Sequence, residues 1–397
     1  MPDRSPWQRS EWLKDTIDDV ISFYYPECID NETGGFIAQF DERTGEIYDR
    51  SSKHLVATCR FINSFSVASR LDGVGDYTQA IEHGLEFLQT AHHDQKQGGF
   101  HQLLDGATPL DSRRTCYGHA FALLAAARAE TVDSIDTDSA LDTAYDLIID
   151  RFWEEEYGLC KSTYDHDWTN SESYRGQNAN MHMCEAMMAA YEVTNDQRYL
   201  DHAIDIVEGI VVDSTDNTNG LIWEHYTSNW DPDFRYNVDN PEHRFRPWGY
   251  QPGHHVEWAK LLGILLRYTS ANWILPRAED LFTYAVTHGW DDETGGFYYT
   301  LDRNDEPVVK DKYSWAVAEA IGAAAVLFEQ TGENRYLEWY NTLWEYAEEN
   351  LINPQHRNWY IKVGVDNNPI PEKSGVSVSA GYHPIGACVE GIQSSDL

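Results

Sequence analysis

The chain has 397 residues, 42% of them hydrophobic with 14 Trp, 24 Tyr and 14 Phe, and sets 66 acidic residues against 29 basic for a formal net charge of -37. That much aromatic area offsets chain entropy and excludes disorder, while an acid excess spread along the whole chain excludes nucleic acid and anionic membrane as partners. No Asp-x-Asp-x-Asp calcium loop accompanies the acids, so they read as a carboxylate-rich surface adapted to high salt.

The opening stretch, MPDRSPWQRSEWLKD, has no apolar h-region, and no run of 18 apolar residues follows, so a cytoplasmic, halophilic home is expected. Trp12 to Tyr25 has helical spacing (Trp12, Ile17, Val20, Ile21, Tyr24), ECIDNETGGFIAQFDERTG reads as a turn and short hairpin, and Leu55 to Leu71 is an apolar helix interrupted by Arg60. The pattern then returns. Tyr77 to Ala91, HDQKQGGFHQLLDG and CYGHAFALLAAARA make a second unit; Leu141 to Trp153, EEEYGLCKSTYDHDW and NANMHMCEAMMAAYEVT a third. Tyr199 to Val212, NTNGLIWEHYTSNW and the stretch from Arg246 to Leu266 make the fourth. Arg277 to His288, WDDETGGFYYTLDRNDEP and SWAVAEAIGAAAVLFEQTG form the fifth, and Tyr336 to Leu351, NPQHRNWYIKVGVDNN and GYHPIGACVEGI the sixth.

Hairpin glycines at 34-35, 98-99, 158, 220 and 295-296 recur at about sixty to seventy-five residues, with Asn358-Trp359 in the sixth place. One supersecondary unit is repeated, each copy burying its face against its neighbours. The first helix of each unit is amphipathic and acidic (Asp15, Asp18, Asp19; Glu82, Glu86), whereas the second is nearly all apolar. The second helices therefore form an inner ring and the first an outer one, an all-α (α/α)6 barrel in a single domain over 1–397. Cys28, Cys59, Cys116, Cys160, Cys184 and Cys388 are far apart with no C-x-x-C pair, and read as small buried hydrophobes in a reducing compartment.

If the inner helices share a mouth at their N-terminal ends, the polar residues there are Arg60, Tyr117, His119, Asn178, His182, His254, Glu257, Trp315, Glu319 and His383. A lone histidine on an apolar helix is more often a satisfied core residue than a catalyst. His182, His254 and His383, however, read as occupying equivalent places in three units, which points to a shared task. His119 lies deeper and reads as structural or as a support behind the site, and His255 points about 100° away from His254 and reads as structural, whereas Glu257, three residues on, shares the face of His254 and is expected to favour its protonated form. Arg60 must meet a carboxylate or a substrate oxygen, Trp315 is either core or an aromatic face suited to the apolar side of a sugar ring, and Glu319 pairs with Arg60 or a histidine. Pro384 is expected to hold His383 extended, just before its helix. No H-E-x-x-H or E-x-x-H pair and no Gly-rich phosphate loop occurs, so neither metal nor nucleotide cofactor is expected.

The strings NANMHMCEAMMAAYEVT, PGHHVEWAKLL, SWAVAE, KHLVATCR and GYHPIGAC together make the chain resemble the N-acylglucosamine 2-epimerase family, over essentially all six units. That family includes cellobiose 2-epimerases and the mannose and sulfoquinovose aldose-ketose isomerases, and the isomerase branch looks nearer. The resemblance implies an (α/α)6 barrel acting on a monosaccharide, with Arg60 and Asn178 on sugar hydroxyls, His182 and Glu257 supporting the site, and His254 and His383 as the acid-base pair. The residues agree with that chemistry. Aldose-ketose isomerisation and C2 inversion both begin by removing the proton beside a carbonyl, and an imidazole base needs little retuning for it. A 2-epimerase is the alternative within the family. A glycoside hydrolase, which would need two carboxylates at the mouth, or a non-catalytic sugar-binding protein are the rivals from outside it.

Overall fold

The computed structural model describes residues 5–135, 137, 140–371 and 377–394. Among them run twelve α-helices: α1 (Ser10–Tyr24), α2 (Leu55–Ser69), α3 (Thr78–Phe87), α4 (Cys116–Glu130), α5 (Ala140–Arg151), α6 (Gln177–Thr194), α7 (Gln197–Val207), α8 (Pro252–Leu265), α9 (Ile274–Tyr284), α10 (Ser314–Thr331), α11 (Asn334–Tyr346) and α12 (Tyr382–Gln393). The even-numbered helices pack α2 on α4, α4 on α6, and so on to α12, which closes back onto α2. The chain is an (α/α)6 barrel. Packing is offset from the sequence repeat by one place, because α3 lies on α2, α5 on α4, and α1 on α12 at the seam. The inner helices bury nearly every side chain, as their all-round apolar character requires, while α1, α7 and α9 bury one stripe.

The hairpins also tie one unit to the next. The strand entering α6, Arg175–Gly176, pairs with His225–Tyr226 of the following hairpin, and those entering α2, α4 and α10 pair likewise one unit ahead. The first N–H of an inner helix has no partner within the helix, so it bonds the hairpin instead: Leu55 to Gln102 O, Cys116 to Ser162 O, Gln177 to Glu224 O and Ser314 to Ile361 O. Pro252 takes the matching place in α8, where a missing N–H costs nothing.

Two residues before four of the inner helices stands a buried cation that clamps the preceding hairpin. Lys53 meets Asp30 at 2.7 Å, Arg114 meets Asp94 at 2.5 Å, Arg175 meets Glu154 at 2.7 Å and Lys312 meets Asp291 at 2.9 Å. The hairpins bend through left-handed glycines, and at Gly99 a Cβ would stand 2.6 Å from Trp168 and 2.9 Å from His119, so the turn admits no side chain. Lys312→Met leaves Asp291 buried without its counter-charge. We expect it to cost about 3–5 kcal/mol in urea unfolding, against a near-neutral Asp292→Asn control.

All six cysteines are buried and free. No helix among the described residues is long and apolar enough to cross a membrane.

Candidate active site

The clamps and first-turn bonds fix a common register for the inner helices. The fourth residue then turns back to its own helix start and across to a hairpin: His119 engages Thr115 O and accepts from Phe100 N, Asn180 engages Gly176 O and Cys160 N, and His255 engages Gln251 O and Ile222 N. His119 and His255 are thus structural, as expected, and burial pushes them down to about 3 and about 4.

In this register the second residues are Tyr117, Asn178, Trp315 and His383, a layer at the mouth, and the sixth are Arg60, Phe121, His182, Glu257 and Glu319, a layer below it. His254 is the third residue of α8. The three histidines read as equivalent in the sequence therefore are not: they fall at sixth, third and second places. Recurrence holds for the layers instead. His383 also lies inside α12 and not ahead of it. Pro384 falls in the first turn, where its missing N–H breaks no helical bond, and the left-handed Gly381 (φ 69°) starts the helix hard against Val20.

His254 and His383 both lie against Trp315, ring centroids 5.0 and 5.9 Å from the indole. Each is backed at Nδ1 by a buried carboxylate. His383 meets Glu319 Oε1 at 2.6 Å, and His254 meets Glu224 at 2.9 Å from both carboxylate oxygens. The partner of His254 is not Glu257, as spacing along α8 suggested, but a residue of the hairpin in front of it. Gln177 holds this pair. Its Oε1 accepts from Trp258 Nε1 at 2.7 Å, and since an indole only donates, Nε2 must face Glu224, at 2.9 Å. With Nδ1 engaged, Nε2 is the nitrogen each ring offers to a reacting atom. Burial pushes Glu224 up, but His254 and Gln177 prevail and hold it below its usual value.

The layer below is dense with charge. His182 engages Glu185 at 2.9 Å through Nδ1 and lies 3.8 Å from Glu257 through Nε2. Glu185 also accepts from Tyr382 OH, and Glu319 pairs with Lys260. Arg60 donates to Val378 O at 3.0 Å and to Tyr117 OH at 3.1 Å, and its guanidinium lies over the rings of both Phe121 (4.6 Å) and Tyr382 (4.7 Å). The expected carboxylate partner of Arg60 is not found among the described residues; two aromatic faces serve its charge instead. Glu319 accordingly pairs with His383 and Lys260, not with Arg60. Arg60 Nε and Asn178 Oδ1 are buried polar atoms with no hydrogen-bond partner among the described residues. Two sets could hold a metal, His182 with Glu185 and Glu257, and Glu257 with Glu319 and His383, but Lys260 and Arg60 already stand among these carboxylates.

A family model described as N-acylglucosamine 2-epimerase (GlcNAc 2-epimerase) matches residues 35–387. The chain belongs to the N-acylglucosamine 2-epimerase family. Its relatives in that family include D-mannose isomerase of Marinomonas mediterranea, 39% identical over 387 residues, 97% of this chain and 98% of the other. D-mannose isomerase of Thermobifida fusca is 38% identical over 80% of this chain and 79% of its own. A crystal structure of D-mannose isomerase superposes with a TM-score of 0.94 at 37% identity, covering 98% of this chain and all (100%) of that one. Family 76 glycoside hydrolases share the fold alone, with a TM-score of 0.63 at 10% identity.

Of the residues anticipated in this family member, Arg60, Tyr117, Asn178, His182, His254, Glu257, Trp315, Glu319 and His383 lie in the two layers or on α8 beside them. Sequence reasoning missed Glu224, Gln177, Glu185, Lys260 and Tyr382. Lys260 and Glu185 were detectable as charges inside otherwise apolar helices. Glu224 was not, because it reads as one more acid in a hairpin until that hairpin is paired with the strand before α6.

Proposed function

We propose that the protein interconverts D-mannose and its 2-ketose, D-fructose, through a cis-enediolate, with His383 as the base at C2 and His254 as the acid. That it is an isomerase acting on carbohydrates follows from its family and from relatives at 39% and 38% identity. The observation that carries the mechanism is the pair of imidazoles packed against Trp315, each fixed at Nδ1 by its own carboxylate.

His254 gives a proton to the ring oxygen and takes one from the anomeric O1 hydroxyl, which opens the sugar to its C1 aldehyde. His383 Nε2 then takes the C2 proton, the C–H electrons form the C1=C2 bond, the carbonyl electrons pass to O1, and O1 regains the proton held by His254. In the second half O2 returns its proton to His254 while C1 receives one from His383, which leaves the carbonyl at C2. Arg60 stabilises the developing oxyanion through its unpaired Nε, and Tyr117 orients it. Asn178 Oδ1 accepts from a sugar hydroxyl. Glu257 is pushed well above the usual carboxylate range by burial and by neighbouring Glu319, so it serves as a neutral donor. Trp315 supports the apolar sugar face, with His182 and Glu319 behind the reacting groups. Only protons move, so the reaction draws on no redox cofactor.

Incubation with D-mannose, followed by NMR, tests the reading. Fructose as first product supports it; glucose alone makes the protein a 2-epimerase, and no turnover of mannose removes the assignment.

The single catalytic domain over 1–397 works in the cytoplasm, and its surface acids belong to a saline one. With a net charge of -37, self-repulsion reaches ~30 Å at 0.01 M salt and only ~3 Å at 1 M. The thermal midpoint is expected to rise from 0.05 M to 3 M KCl by about 10 °C or more; equal midpoints would speak against a halophilic surface.

A further inference from the structure

Behind His383 stands a chain of two more charges. Glu319 meets His383 through Oε1 at 2.6 Å and Lys260 through its other oxygen, and Lys260 is only 7% exposed. The lysine stem runs from α8 across α10 beside Gly322, one turn past Glu319. A Cβ at Gly322 would lie 3.0 Å from Lys260 Cδ and 3.7 Å from Glu390 Cγ. Glycine within a helix costs ~1 kcal/mol against alanine, and here its bareness is the slot that the lysine fills.

We propose that Lys260 is a positioning residue of the isomerisation: paired with Glu319, it keeps that carboxylate ionised, so that His383 carries its ring proton on Nδ1 and presents a bare Nε2 to C2 of the sugar. The proposal rests on His383 being the base. It also accounts for the charge balance of the layer. Glu319, Glu185 and Glu257 all bear on Lys260, while Arg60 from α2 is the other full cation. His182 from α6 and Tyr382 from α12 complete the inward surroundings, and Glu390 of α12 is engaged by Arg267 at 3.0 Å on the outward side. Two cations balance two carboxylates, which leaves Glu257 as the neutral one. Burial opposes an ionised Glu319, but Lys260 and then His383 overcome it and hold the carboxyl at about 2.

Without the lysine, the Glu319–His383 pair takes up its proton at higher pH. That proton disables the base wherever it sits: on the imidazole it occupies Nε2 directly, and on Glu319 it is donated to Nδ1 and drives the ring proton to Nε2. The acid limb of kcat/KM must therefore move upward.

The test is the pH profile of kcat/KM on D-mannose for Lys260→Met and Lys260→Arg, with C2 exchange in His383→Ala measured alongside. For Lys260→Met we expect the acid limb to rise by about one pH unit or more, so activity at the foot of the native limb falls about tenfold or more and is regained toward neutral pH. KM should stay within about threefold, and Lys260→Arg should keep the native limb. An unmoved limb in the Met variant, or a loss equal at every pH, overturns the proposal. If Lys260→Met does not fold, Gly322→Ala decides, since it keeps every charge and displaces only the stem: a limb shifted in the same direction supports the proposal and an unmoved one overturns it. Retained exchange in His383→Ala would instead sink the base assignment itself.

Discussion

Replacing His383 with alanine should abolish proton exchange at C2 and lower kcat by ~10²–10⁴-fold while KM changes little, because the imidazole acts on the transition state and is not needed to bind the sugar. The geometry sets the direction. His383 is 9% exposed, its Nδ1 is committed to Glu319, and Nε2 is the free nitrogen. Burial pushes the imidazole down to about 4, against the opposing pull of Glu319, so the neutral, basic form persists through the whole neutral range. The base is lost only as pH falls through that value, and the native acid limb of kcat/KM should lie well below the 6.5 of an ordinary histidine. His254→Ala offers the contrast. On a sugar analogue held open-chain it should retain some C2 exchange, since ring opening is then bypassed, and the reverse pattern would swap the two roles.

The second large effect is expected at Glu224. Glu224→Gln keeps the size of the side chain and removes its charge, so His254 no longer has an anion to hold its Nδ1–H. The amide can donate to Nδ1 and fix the opposite tautomer, the same failure that follows loss of the carboxylate behind a catalytic histidine in a Ser-His-Asp triad. Gln177 cannot correct this, because Trp258 dictates its orientation. We expect kcat to fall by ~10²-fold or more with the fold intact. Glu257→Gln should be milder: Glu257 is already neutral, so the substitution preserves a donor. Equal losses in the two variants would contradict the assignment of Glu224 as the support of His254.

Fold and site were legible to different depths for physical reasons. Six repeats with a polar outer and an apolar inner helix leave one way to bury the inner faces, and the (α/α)6 ring follows from hydropathy alone. The two layers are carried by whole helices, so nine anticipated residues arrive together once the ring is known. What spacing could not supply was the register between helices and hairpins. His254 and Glu257 share a face of α8, which made them look like partners; yet Glu224 reaches His254 because its own carbonyl is bonded to Gln177 N one unit back. Arg60 was expected to meet a carboxylate or a substrate oxygen, and the rings of Phe121 and Tyr382 were not foreseen as support for its charge. The helical setting of His383 was missed because the rule that residues before proline are extended does not allow for the first turn of a helix.

The central claim is that hydrogen moves from C2 as a proton held by an imidazole, and one isotope measurement bears on it most directly. D-mannose carrying deuterium at C2 is converted in ordinary water, and the fructose is analysed by NMR for deuterium at C1. Transfer through His383 exposes the label to exchange with solvent, so the fructose should be depleted of deuterium, and increasingly so as turnover is slowed. Quantitative arrival of the label at C1 at every rate would mean that hydrogen passes between the carbons as a hydride, and the account given for His383 and His254 would be wrong.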